Sequence, residues 1–265
     1  MAVPRLGAPK SASSVSWDLP PHPLQLDSTA VHVWRAALTL DPSAVQALQQ
    51  LLSPDEQIRA EQFYFSLDRE HFIVARGLLR VILGRYLDRD PRRLRFSYNP
   101  HGKPALVKEE SGEEISFNLS HAHGLALYAI ARGRNVGIDL EYLRSDLVHE
   151  QIAEHFFSPR EVASLLALPP SLRMEAFFNC WTRKEAYIKA RGEGLSLPLD
   201  QFTVSLIPGV PAALLHTECD PREAFSWSLR ELVPGPGYVA ALAVESQEWQ
   251  LCCWQWDASS YPGTM

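Results

Sequence analysis

No stretch of this chain approaches the ~20 consecutive apolar residues that a helix needs to cross a bilayer, so a membrane-spanning protein is not expected. The first residues carry Pro4, Pro9, Ser11, Ser13 and Ser14 without an apolar centre, which does not read as a secretory signal. Cysteine is scarce. There are four, at 180, 219, 252 and 253, and none forms a C-x-x-C pair. A disulfide framework and a zinc site are therefore not expected, and reduced thiols in the cytoplasm are. An excess of positive charge is missing too: the net charge of −6 argues against nucleic acid as a main partner.

What is present is an ordinary globular composition. The 265 residues, 46% hydrophobic and 21% charged, suffice for one large or two small domains with cores of their own. Charge is unevenly spread. Residues 69–108 hold ten Lys and Arg against three acids. Such a segment suits an anionic small ligand or an acidic protein partner, and a solvated basic helix would give the same count.

Two short stretches carry most of the chemistry. In Val136-Gly137-Ile138-Asp139-Leu140-Glu141 apolar residues alternate with others, which is strand periodicity and puts Asp139 and Glu141 on one side. Neighbouring carboxylates repel unless a cation or a proton lies between them. Oxygen-only ligands favour a hard ion such as Mg²⁺, which commonly shares its site with substrate phosphates. A solvated edge strand with two exposed acids has the same pattern. The second stretch, Trp181 to Lys189, reads as a helix that stops at Gly192-Glu193-Gly194. Trp181, Glu185 and Lys189 share one face, and Lys184 can flank it. Together the stretches offer three carboxylates and two lysines to one place.

The chain also echoes itself. Ser53-Pro54-Asp55-Glu56 and Ser158-Pro159-Arg160-Glu161 both read as a helix start with Ser as N-cap, Pro at the first position and Glu closing a capping box. Each follows a strand, at 31–38 and 136–143, and the later stretches 124–131 and 237–244 correspond. The fold class expected is α+β: two similar α/β subdomains in a pseudo-twofold arrangement, each a small, mainly antiparallel sheet packed on a long helix. The expected boundaries are a 1–28 extended or disordered tail, a 29–134 N-terminal subdomain, a 135–256 C-terminal subdomain with the metal site, and a 257–265 tail. Phe63, Phe72, Leu79, Ile82 and Leu83 are expected in the first core, with Arg69, Arg76 and Arg80 on a polar face. Phe156 and Phe157 are expected to staple the second helix start.

These residues resemble the 4'-phosphopantetheinyl transferases of the surfactin-synthetase type. The likeness rests on VGIDLE at 136–141, WTRKEAYIKARGEGL at 181–195, Asn118-Leu119-Ser120-His121 and Gly102-Lys103-Pro104, in the family's order. It implies two halves with coenzyme A in the cleft between them. The implied reaction moves the 4'-phosphopantetheine arm onto a serine of an acyl or peptidyl carrier protein, releasing adenosine 3',5'-bisphosphate. The carrier could serve fatty-acid, polyketide or non-ribosomal peptide synthesis. Asp139, Glu141 and Glu185 would hold Mg²⁺, with Mn²⁺ as a substitute. Glu185 could take the serine proton, and Asp139, Glu185 and Lys189 would form the catalytic group. Lys184 and Lys189 would contact phosphate, as would His121, with Lys103 near the nucleotide and the Ser120 backbone near the adenine. The helix after Ser53 keeps only Arg59 at a family basic position, so the 3'-phosphate could fall to Arg76 or Arg80 instead. A monomer is expected. Two other classes use the same residues: a Mg²⁺-dependent nucleotide pyrophosphate hydrolase, and a non-catalytic module that binds acidic carriers or nucleotides.

Overall fold

The computed structural model describes residues 16–107, 115–144 and 149–257. The tail readings at 1–15 and 258–265, and Lys108 of the basic segment, lie outside the described residues.

The first half opens with β1 (Ala30–Ala37), then three helices, α1 (Pro42–Gln49), α2 (Pro54–Glu61) and α3 (Ser66–Leu87). A short hairpin follows, β2 (Phe96–Tyr98) and β3 (Pro104–Leu106), then the strands β4 (Ile115–Ala122) and β5 (Leu125–Arg132). The second half repeats the plan. It runs β6 (Val136–Tyr142), α4 (His149–Phe156), α5 (Pro159–Leu166) and α6 (Pro170–Arg191). A small pair, β7 (Phe202–Val204) and β8 (Leu214–Thr217), precedes β9 (Ser228–Leu232), β10 (Tyr238–Val244) and β11 (Gln250–Gln255).

One sheet has the order β11-β1-β5-β4 and the other β6-β10-β9. The order β1-β5-β4 thus matches β6-β10-β9, with α3 and α6, each of 22 residues, as the equivalent long helices. Pairing is antiparallel except between β1 and β11. The expected fold class holds. Both capping boxes form, at Ser53 with Glu56 and at Ser158 with Glu161.

Three apolar clusters make four layers, because strand alternation gives each sheet two faces to cover. Leu78, Leu79, Ile82 and Leu83 of α3 cover the outer face of the first sheet. Phe177, Phe178, Tyr187 and Ile188 of α6 cover that of the second. Between the sheets, Val31, Val33, Leu127 and Ala129 meet Val136, Ile138, Leu140 and Leu242.

The structure corrects several expectations. β11 lies in the first sheet, parallel to β1, so the end of the 135–256 unit completes the first half. Residues from Ser16 on are held against it: Asp18 exchanges backbone hydrogen bonds with Cys253 and Gln255. Arg76 and Arg80 are buried, not on a polar face, and both pair with Glu56. The basic stretch is thereby less available to a partner than its residue count suggests. Phe157 is buried, but Phe156 is 45% exposed with its ring 6.0 Å from Trp181. Phe63 is 38% exposed, its ring tilted against that of the half-buried Phe72 at 5.3 Å.

Candidate active site

The site starts from a missing side chain. A Cβ on Gly137 would stand 2.1 Å from the Ala186 carbonyl oxygen and 2.3 Å from the Ala190 nitrogen. Only glycine lets α6 lie this close on β6. On the same side of β6, strand alternation places Asp139 and Glu141. Helix periodicity then brings Glu185 and Lys189 over them. Lys189 Nζ lies 2.6 Å from Asp139 Oδ1, and Ser120 Oγ donates to the same oxygen at 3.0 Å.

Ser120 comes from the other sheet. Strand β6 is an edge, and its outer N–H groups need acceptors. Asn118 Oδ1 accepts from Ile138 N at 2.9 Å and Ser120 Oγ accepts from Leu140 N at 3.3 Å. Alternate side chains of β4 thus stitch the first sheet to the second beside Asp139. Lys189 Nζ also reaches Ser120 Oγ, at 3.2 Å.

The charges here are in tension. Asp139 is 4% exposed, and its Oδ2 is buried without a hydrogen-bond partner. Burial raises the pKa of Glu185, the nearby Asp139 raises it further, and Lys189 opposes. Burial and then Asp139 raise that of Glu141 as well. Among the described residues no three acid, His or Cys side chains converge as a ready-made ligand cluster. Lys189, not a third carboxylate, closes on Asp139. The expected set still fits a hard divalent ion on two counts. The buried Oδ2 lacks a partner, and three mutually repelling carboxylates supply only oxygen.

Other expected residues are employed elsewhere. Lys184 points away from Asp139 into the second core, where Nζ bonds Glu161 Oε2 at 2.8 Å and the carbonyl oxygens of Leu199 and Phe202 at 2.7 and 2.6 Å. A phosphate contact from it is therefore corrected to a structural role. Arg76 Nε bonds Glu56 Oε1 at 2.5 Å and its Nη2 bonds the Tyr98 hydroxyl at 2.5 Å, so it is no free cation either. Lys103 Nζ donates to Ala190 O at 2.8 Å, which pins the β2–β3 hairpin to the end of α6, and burial lowers its pKa to about 8. Arg59 is exposed on α2, 5.6 Å from the Phe72 ring. His121 follows Ser120 on β4, and burial, then His71 and Lys189, push its pKa down.

Residues 135–243 match the family described as the 4'-phosphopantetheinyl transferase superfamily. Residues 39–132 match one described as 4'-phosphopantetheinyl transferase, N-terminal. Over 241 residues the chain is 42% identical to the 4'-phosphopantetheinyl transferase HetI of Nostoc sp., covering 91% of this chain and 98% of HetI. The chain belongs to the 4'-phosphopantetheinyl transferase superfamily. It is also 31% identical over 161 residues to the 4'-phosphopantetheinyl transferase Sfp of Bacillus subtilis, covering 61% of this chain and 69% of Sfp. The crystal structure of Thermotoga maritima holo-[acyl-carrier-protein] synthase aligns with 42% of this chain and 62% of its own, at TM-score 0.33 and 22% identity. With both halves matched, this phosphopantetheinyl transferase falls in the two-domain, surfactin-synthetase-type branch.

Two residues near this transferase's site escaped the sequence reading. His71 and Asp68 of α3 lie close enough to His121 to shift its titration in opposite directions. The available signal was helical spacing: His71 continues the buried stripe Ala75, Leu78, Ile82 toward the start of α3.

Proposed function

We propose that this transferase moves the 4'-phosphopantetheine group of coenzyme A onto a serine of an acyl or peptidyl carrier domain. The observation that carries this reading is Asp139, gripped on one oxygen by Lys189 and Ser120 and left partnerless on the other, inside a family match that spans both halves. In the reaction the serine oxygen bonds to the β-phosphorus and the anhydride P–O bond breaks. Adenosine 3',5'-bisphosphate leaves with that bond pair. Such transfers depend on positioning and charge neutralisation more than on covalent help.

Asp139, Glu141 and Glu185 are the residues that would hold Mg²⁺ or Mn²⁺, and the bound ion would supply charge neutralisation at the pyrophosphate. Glu185, when it is not holding the ion, is suited to receive the serine proton, because burial and the nearby Asp139 raise its pKa. Lys189, already beside Asp139, would turn to phosphate oxygens as the anhydride opens. His121 would contact coenzyme A from the end of β4. The units proposed are 29–134 and 135–256, with β11 crossing back. The enzyme is proposed to act as a cytoplasmic monomer. Among the described residues no helix is long and apolar enough to cross a membrane.

Mass spectrometry of several purified apo-carriers, incubated with coenzyme A and Mg²⁺, tests the proposal. A carrier gaining the mass of one phosphopantetheine supports it. Free phosphopantetheine with unmodified carrier would establish hydrolysis instead, for which no observation here speaks.

A further inference from the structure

We infer that Ser120, through its hydroxyl, is a positioning residue of this transferase: it holds Asp139 in place for the divalent ion once Lys189 has turned to phosphate. The inference rests on the transfer reading above and deepens it.

The valence of one oxygen carries the argument. A serine hydroxyl has a single proton to give and two lone pairs with which to accept. Leu140 N donates to Ser120 Oγ at 3.3 Å, and Lys189 Nζ donates to it at 3.2 Å. Both lone pairs are thus taken. The one proton is committed to Asp139 Oδ1, at 3.0 Å. Nothing of this buried hydroxyl is left over for a substrate, so it acts on the neighbouring carboxylate instead.

Joining the two sheets does not by itself call for a hydroxyl. Two residues earlier on β4, Asn118 Oδ1 accepts from Ile138 N at 2.9 Å and closes the same seam with an acceptor alone. At position 120 one atom accepts from the Leu140 amide and donates to a carboxylate at the same time. An amide oxygen or an apolar side chain cannot do both, whereas the hydroxyl of serine or threonine can.

The other holder of Asp139 is of a different kind. Lys189 Nζ lies 2.6 Å from the same Oδ1, on a side chain that is 30% exposed, and it is the cation proposed to move to the opening anhydride. Ser120 cannot follow it, because its short side chain grows from a strand paired along its length with β5. After Lys189 leaves, Ser120 remains on Oδ1 and fixes the direction in which the partnerless Oδ2 points. Hydrogen bonds to a metal-binding carboxylate set its orientation and its affinity for the ion.

Calorimetric titration of Mg²⁺ into enzyme saturated with coenzyme A, without carrier, reads this role directly. Ser120→Ala should weaken Mg²⁺ binding by roughly 10- to 100-fold and lower kcat in the carrier assay, with KM for the carrier within about twofold. Ser120→Thr keeps the hydroxyl and should bind Mg²⁺ within about threefold of wild type. Ser120→Val matches threonine in shape, lacks the hydroxyl, and should lose affinity as the alanine variant does. That pair also decides the case in which the alanine variant does not fold. Wild-type Mg²⁺ affinity in the alanine or valine variant overturns the inference, and so does an equal loss in the threonine and valine variants. Carrier modification by the wild type is scored separately. If it is absent while Mg²⁺ binds, the transfer reading fails and the calorimetric comparison still decides Ser120.

Discussion

Glu161 and Lys184 form an ion pair in the second half at the place where Glu56 and Arg80 form one in the first. The closest approaches are 2.8 Å and 2.6 Å. Each glutamate also closes a capping box, and each cation is the fifteenth residue of a 22-residue helix. One side chain thus caps a short helix and ties it to the long one that follows. Both members of the second pair are 1% exposed. Removing one strands the other without solvent, which costs about 3–5 kcal/mol. Lys184→Met should therefore lose stability in urea denaturation by that order. A variant as stable as wild type, with only a raised KM for coenzyme A, would return Lys184 to the site.

Asp139 is the opposite case. It is itself buried, yet its ion pair is with Lys189, whose side chain is 30% exposed, rather than with the fold's cores. Asp139→Asn keeps the shape and removes the charge. Holo-carrier formation should drop by on the order of 10² or more, with the melting temperature within a few degrees of wild type. Undiminished turnover would remove Asp139 from the chemistry.

Gly137→Ala should act through geometry alone. Its new methyl would meet the Ala186 oxygen at 2.1 Å, and backbone on both sides leaves it nowhere to go. Lifting α6 costs about 3 kcal/mol or more and pulls Lys189 and Glu185 from Asp139 at the same time. Loss of both stability and transfer is expected. Normal melting and turnover would contradict the contact.

Acidity offers a fourth check. Glu141 and Glu185 have pKa values raised above the ordinary 4.5, so the folded chain holds their protons more tightly than the unfolded one. The stability this contributes is whole below 4.5 and is lost as pH rises through the raised values. Mg²⁺ should offset that loss once the carboxylates ionise. Its addition is expected to raise the melting temperature more at about pH 7.5 than at about pH 5, a difference that Asp139→Asn diminishes. Equal shifts at both pH values would count against these ligands.

The repeat, the long helices and the carboxylate face could be read from the sequence because they are local patterns: alternation in VGIDLE, and the four-residue step from Glu185 to Lys189. The placement of Lys184 was legible too, though overlooked. Phe177, Cys180, Lys184 and Tyr187 form one helical stripe, and three of them are evident core residues. Adjacent residues on a helix point about 100° apart, so Lys184 and Glu185 could not share a face. Glu56 shows what was out of reach. Its capping box spans four residues, but its pairing with Arg76 and Arg80 depends on where α3 crosses α2, which no local pattern encodes. The destination of β11 was hidden for the same reason. A strand's neighbour is chosen by the whole sheet, and the short apolar run LCCW says nothing of which strand it will pair with.

That last strand ties the two halves into a loop of dependence. Residues 250–255 shield one margin of β1, and the stretch around Asp18 lies along them in turn. A fragment ending near residue 134 would therefore expose a raw, sticky border, and during synthesis the first half must wait for the second before it can finish. Anyone dividing this protein for expression should graft the final strand onto the leading piece, and a fusion partner appended just behind Trp256 would burden the seam that locks the molecule shut.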